Sequence, residues 1–328
     1  MFKTTASFLF IGLLTLTSPL EASCGSASCP LDTRSSFAAE KGAVRLGYQF
    51  EFIDQDRPRI GTKKASVGEI SGHHDEQRTI NRAHLLTGSW DITDRWSLDL
   101  GLPFISRSHR HIHNHHDGDV LPEGWDFSGL GDLMVQARFA FLKPEENRRP
   151  TLSAILGGEF PTGKDEAPNA DGDHADPGIT PGSGSTDGIV GLAWLQHFSM
   201  PMWGGEYALM PLFFSVTYKA NGEGHDDYRL GYQLTASAGA TYPATPRLGL
   251  IGQVNLLVKG RDSAGMTSEE VEKTGGDYLY VSPGVLVRIT DDLEWSTLIQ
   301  IPVRQRVNEI QITSNYNLLA RLSYKFRL

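Results

Sequence analysis

Tyr228-Arg229-Leu230-Gly231-Tyr232-Gln233-Leu234-Thr235-Ala236-Ser237-Ala238-Gly239-Ala240-Thr241-Tyr242 carries one kind of residue at even positions and another at odd ones. Tyr, Leu and Ala fill the even set; Arg, Gly, Gln, Thr and Ser fill the odd set. Successive side chains of a β-strand point to opposite faces, so one face of this segment suits lipid and the other suits water. A strand rising about 3.4 Å per residue and tilted by about 40° would set the two terminal tyrosines roughly 35 Å apart along a membrane normal, near the separation of two aromatic girdles. The pattern predicts a transmembrane β-strand, because soluble sheets rarely need strands this long.

The same alternation recurs along the chain and gives twelve strands, over residues 44–52, 80–90, 96–104, 133–141, 152–160, 188–198, 207–219, 228–242, 248–258, 279–289, 293–303 and 318–328. The fold class is therefore all-β, a transmembrane antiparallel up-and-down barrel of about 12 strands. Tight polar turns at 92–94, 144–149, 199–205, 243–246 and 290–292 alternate with longer connections such as 55–77, 107–127 and 162–184. Outer-membrane barrels have short periplasmic turns and longer outer loops, so this rhythm places both chain ends in the periplasm. The final strand, with Leu318, Ala320, Leu322, Tyr324, Phe326 and Leu328 on one face, reaches the last residue, as a signal for the barrel assembly machinery should.

Composition agrees. Hydrophobic residues make up 39% of the chain, and after the N-terminus no run reaches the ~20 apolar residues of a spanning helix. The 35 glycines and 17 prolines suit a turn-rich fold, and a net charge of -9 argues against nucleic acid as a partner. Lys3 followed by an apolar stretch over 8–16 and then small residues has the order of a secretory signal, assigned to residues 1–23, with the mature start between Ser23 and Ser26. Glu21 stands where a lipobox before Cys24 wants an aliphatic residue, which argues against lipidation. Cys24 and Cys29 are candidates for a small disulfide within a periplasmic segment over 24–42, ahead of the barrel at 43–328. One chain, surrounded by outer-membrane lipid and acting as a monomer, is the expected assembly.

Nine of the 11 histidines fall in the predicted outer connections: His73, His74, His109, His111, His113, His115, His116, His174 and His225. Carboxylates accompany them, notably Asp171 and Asp173. In 109–115 an extended backbone puts alternate imidazoles on one face, and imidazole with carboxylate suits Zn, Cu or Ni better than magnesium. Two readings stand side by side: a vestibule that captures a transition metal, or solvated loop residues. No cofactor is required in either.

The inward positions collect charge: Arg45, Arg138, Arg229, Arg288, Arg304 and Arg321, against Glu51, Asp99, Glu159 and Glu294. Such rings set up a transverse field that selects solutes, or they pair and brace a narrow lumen. A barrel hydrolase would need a nucleophile beside a histidine near the lipid boundary; His84 has no serine two residues away, and His197 with Ser199 sits at a turn, so no catalytic residue is assigned.

Ser128-Gly129-Leu130-Gly131-Asp132-Leu133, leading into Ala140-Phe141-Leu142-Lys143, resembles the outer-membrane barrel family named for the meta-pathway of phenol degradation. Glu159-Phe160-Pro161-Thr162-Gly163 and Gly182-Ser183-Gly184-Ser185-Thr186-Asp187 are similar to it as well. The resemblance implies an outer-membrane channel for small solutes, with hydrophobic or aromatic compounds as one class. An apolar outer mouth from Phe104, Ile105, Trp125 and Phe127 would mark that class. A structural or adhesive barrel with a plugged lumen is the remaining alternative.

Overall fold

Alternation is kept through twelve strands that close on themselves and two that stand outside the ring. A computed structural model describes residues 38–69, 74–114, 120–144, 149–267 and 271–328. The strands are β1 (Ala43–Ile60), β2 (Lys63–Lys64), β3 (His74–Asp91), β4 (Trp96–Asn114), β5 (Val120–Leu130), β6 (Leu133–Leu142), β7 (Thr151–Phe160), β8 (Asp187–Pro201), β9 (Tyr207–Ala220), β10 (Gln233–Pro243), β11 (Leu248–Lys259), β12 (Gly276–Arg288), β13 (Leu293–Val307) and β14 (Ile310–Arg327). Neighbours pair antiparallel in chain order, with β2 and β5 off the ring, and β14 returns to β1 from Ala43↔Arg327 to Ile60↔Ile310. Closure leaves no free sheet edge in lipid, where an unpaired backbone group costs several kcal/mol.

β5 and β6 act as one descending strand with a break in it. The upper half of β4 pairs with β5, Phe104↔Leu130, and its lower half with β6, Gly101↔Met134. Gly131 and Asp132 lie between, where Gly131 N–H still reaches the Pro103 carbonyl at 2.8 Å.

Outside the wall, apolar side chains are exposed because lipid is their solvent: Leu86, Leu156, Val190, Leu192, Val254, Ile299 and Ile301. Trp90, Trp96, Tyr207, Trp295 and Tyr324 ring the end with the short turns; Phe104, Phe160, Tyr218, Tyr232 and Tyr316 ring the other. Tyr232 and Tyr242 bracket β10, and ten residues at that tilt span about 26 Å, close to the apolar band of an outer-membrane barrel.

Three expectations need correction. Residues 228–232 do not extend β10. Tyr228 is buried with its hydroxyl 2.7 Å from Asp262, and Asn221 Nδ2 donates to the Leu230 and Gly231 carbonyls, so side chains take the bonds that a strand partner would. Burial pushes the Asp262 carboxyl up, opposed by the bonds from Tyr228 and Gly231. The connections predicted over 55–77 and 107–127 are largely strand, since β1, β3, β4 and β5 continue beyond the membrane with water on their outer face. β13 and β14 meet in a turn of Asn308 and Glu309, with Glu309 at φ 46, where a long connection was expected.

The segment read as a signal peptide over 1–23, Cys24, Cys29 and most of 24–42 lie outside the described residues. Where the chain comes into view it sits at the turn end of the lumen: Lys143 Nζ donates to the Ala39 carbonyl at 2.9 Å, and Glu40 pairs with Lys325 and Arg327.

Candidate functional site

The break at Gly131–Asp132 is where the long β7–β8 connection turns inward. Asp132 Oδ1 accepts from Gly163 N–H at 3.0 Å, while Oδ2 accepts from Ser183 N–H and Oγ, both at 2.7 Å. One carboxylate thus clamps both ends of the connection to the wall. Glycine is required for that approach: a Cβ on Gly163 would lie 2.7 Å from the Gly131 carbonyl carbon and 2.8 Å from Gly182 Cα. Between the clamped ends, the loop packs Ala167, Ala175 and Ile179 against Trp125 of β5. Trp125 Nε1 donates to the Asp173 carbonyl at 2.9 Å, and Arg107 of β4 donates to the Ile179 carbonyl.

Below this loop lies a cavity of about 340 Å³. Ile53, Leu85, Pro103, Ile105, Met134 and Leu230 give it an apolar wall; Pro177, Pro181 and Gly182 of the loop roof it. Its polar side is Glu51, Arg107, Glu159 and Lys219. Lys219 Nζ is 2.7 Å from Glu159 and 3.4 Å from the buried Asp187, which also accepts from Ser185 Oγ at 2.6 Å. A second, smaller space of about 50 Å³ lies on the far side of Gly178, among Gln55, Lys259, Asp262, Tyr278 and Gln311.

The other lumen charges lie nearer the turn end. Arg45 is 2.6 Å from Asp91, which also accepts from Ser97 Oγ; Asp99 and Arg321 are buried in the same wall, and Arg138 lines a small space with Ala38 and Ala39. Arg288 and Glu294 pair at 3.0 Å on the rim. Glu51 accepts from Gln49 at 2.6 Å beside the cavity. Two lumen assignments are corrected. Arg229 belongs to the exposed β9–β10 connection and pairs with Glu223. Arg304 is exposed because a bulge between Leu279 and Tyr280 shifts the register of β13 and gives the buried position to Gln305.

The family model described as MetA-pathway of phenol degradation matches residues 85–308, more than half of the chain. The chain belongs to that family. A comparison with curated proteins finds no match. Among solved structures, an outer membrane channel from Pseudomonas putida F1 superposes with TM-score 0.63 at 15% identity, covering 90% of this chain and 100% of that one. A FadL homologue from Pseudomonas aeruginosa gives 0.42 at 12% identity over 87% and 90% of the two chains. The transport unit of the autotransporter AIDA-I from Escherichia coli gives 0.49 at 9% over 91% and 93%. The first of these likenesses shows the fold.

Within this phenol-degradation family member the three motif stretches, far apart in sequence, meet at Asp132. The histidines are more scattered. His109 is buried with Nδ1 2.7 Å from Thr79 Oγ1, and His111 Nε2 is 3.2 Å from Glu123. His74 and His113 are register partners along β3 and β4. His174, Asp171 and Asp173 sit in the inward loop, and His225 lies near Glu166 and Asp226. His73, His115 and His116 are outside the described residues. Among the described residues no three metal-type side chains converge. Arg107 and Lys219, central to the cavity, were missed by sequence reasoning. Lys219 lies within the strand expected over 207–219, next to last in β9, and shares the inward parity of Phe213 and Ser215, so the alternation of that strand could have marked it.

Proposed function

We propose that the protein is an outer-membrane channel passing a small, partly apolar solute, of the size of a substituted aromatic ring, through the cavity beneath the inward loop. The observation that carries this is the cavity itself: about 340 Å³, apolar on the side of Leu85, Ile105 and Met134, with Arg107 and the Lys219–Glu159 pair on its polar side. Such a site takes a ring against its apolar wall and a phenolate or carboxylate toward its cations. Of the four residues expected at an apolar mouth, Ile105 lines the cavity, Trp125 packs under the loop with Phe127, and Phe104 faces outward. The family description and the channel from Pseudomonas putida F1 point the same way. In this reading the loops face the exterior, both termini face the periplasm, the barrel works as a monomer after insertion by the assembly machinery, and no chemical step occurs.

The test is uptake into proteoliposomes. Benzoate or phenol should enter faster than glucose, and Met134→Arg, which puts a long cation into the apolar wall, should cut aromatic uptake at least tenfold while the barrel stays heat-modifiable on gels. Equal uptake by the variant overturns the reading, and absence of any conductance would favour a structural or adhesive barrel.

A second reading, capture of Zn, Cu or Ni ahead of transport, has strand register alone behind it, since the described side chains of the row concerned do not converge on a metal site. Glu76, His111 and Glu123 are cross-strand neighbours on β3, β4 and β5, with His74 and His113 paired further out. Saturable zinc binding that is lost in His111→Ala with His113→Ala would support it; equal weak binding in the variant would end it.

A further inference from the structure

At the loop-end aromatic belt the outer wall has a polar interruption. β1 sets Phe52 at that level and β4 sets Phe104, but β3, running between them, sets Arg82 opposite Phe52 and His84 opposite Phe104. Arg82 is eight residues from the turn-end Trp90, a rise of about 21 Å, which brings it near the far edge of an apolar band ~25 Å tall. A guanidinium there lies within reach of the headgroup layer, which its stem allows it to meet.

The neighbouring outward cations already have carboxylates. Arg78 holds Asp54 at 2.9 and 2.5 Å, and Arg110 holds Asp126 at 2.5 Å. Arg82 has none among the described residues: its Cζ lies over the Phe52 ring, 5.8 Å from the centroid. His84 uses Nδ1 on the Tyr48 hydroxyl at 2.6 Å, which leaves Nε2 without a described partner. Ser106, the cross-strand neighbour of Arg82, adds a third group whose hydroxyl has none. Such neighbours stand about 5 Å apart. Three hydrogen-bonding groups with one fixed positive charge and no carboxylate among them call for an anion with several acceptor oxygens.

We propose that Arg82, His84 and Ser106 bind the phosphate of a lipid headgroup in the loop-side leaflet. The guanidinium fork matches two phosphate oxygens, whereas an ammonium would meet them as a point charge. Phe52, Phe104 and the exposed Leu86 beside the patch supply the apolar wall that acyl chains cover, which is why the ligand is a lipid and not a free ion. With the loops facing outward, as in the orientation argued above, that lipid is the phosphorylated glycolipid of the outer leaflet, lipid A. The binding test in detergent does not depend on that orientation, nor on whether solutes pass the lumen, so the two readings fail separately.

The full mature chain in detergent is titrated with lipid A, with its dephosphorylated form and with inorganic phosphate, and retained ligand is read by native mass spectrometry. One phosphorylated lipid should be retained. Binding should fall at least tenfold on removal of the phosphates or in Arg82→Gln, and by a smaller factor in Arg82→Lys and His84→Phe. Equal retention of the dephosphorylated lipid, an unchanged Arg82→Gln, or inorganic phosphate held as tightly as the lipid would each overturn the proposal. A heat-modifiability gel checks that each variant is folded, and Arg82→Lys keeps the test decisive should Arg82→Gln fail to insert.

Discussion

The two halves of the lumen are made from the same alternating strands and filled with different chemistry. Across β10 to β14, neutral groups interlock: Asn255 donates to Ser237 at 2.9 Å and accepts from Ser282 at 2.8 Å, and Asn317 donates to Gln300 at 2.6 Å and accepts from Ser314 at 2.7 Å. Across β3 to β9, apolar side chains face Arg107, Lys219 and Glu159 around open space. Amides and hydroxyls carry donor and acceptor together, so each can satisfy the next strand's residue and the ladder runs from strand to strand. An aliphatic wall offers a cation nothing to bond, so the space between them stays available to a solute. Strand number alone therefore does not decide whether a barrel of this size is open.

The comparison is most easily broken at Asp132. In Asp132→Ala, three hydrogen bonds to a carboxylate are lost, each worth about 1.5–3 kcal/mol, and both ends of the inward loop are released. Single-channel conductance in planar bilayers is expected to rise severalfold with the barrel intact; an unchanged trace would mean that Trp125 and Arg107 suffice to hold the loop. Gly163→Val should act in the same direction but less completely, because its Cβ meets backbone that cannot retreat and costs about 1–3 kcal/mol of overpacking.

The membrane-spanning wall was legible in the sequence, and the region above it much less so. Between Val44 and Phe52, lipid on one side and lumen on the other impose a period of two. Above Gln55 both faces of the same strand meet polar surroundings, so β1 runs on to Ile60 with no hydrophobic signal. The Gly131–Asp132 break was visible as a motif, yet that its carboxylate reaches Gly163 and Ser183 depends on how a long connection folds back, which local periodicity does not encode. Arg304 was misplaced because a bulge shifts register without leaving a mark in composition. Arg107 was hidden by its position inside a segment read as a loop.

Lys219 sharpens the comparison by charge. Lys219→Met removes the cation shared by Glu159, which lines the cavity, and the buried Asp187, and leaves both carboxylates without it. The reversal potential in a potassium chloride gradient should move toward cation selectivity, with a modest change in conductance. No shift would place the ion path elsewhere.

The smallest effect on conductance belongs to the packed half. Asn255 is fully buried, and Asn255→Leu removes the donor to Ser237 and the acceptor for Ser282 while keeping the branched outline in a somewhat bulkier side chain. The buried Ser282 hydroxyl loses its acceptor at a cost of about 1–3 kcal/mol, so urea unfolding of the barrel in lipid should shift to lower denaturant. Conductance should stay at the wild-type level, because the leucine fills the space that the amide filled and the cavity lies on the other side of the lumen. If conductance rose instead, toward that of Asp132→Ala, the amide ladder would itself be a gate, and the two halves would differ in how they open and not in whether they do.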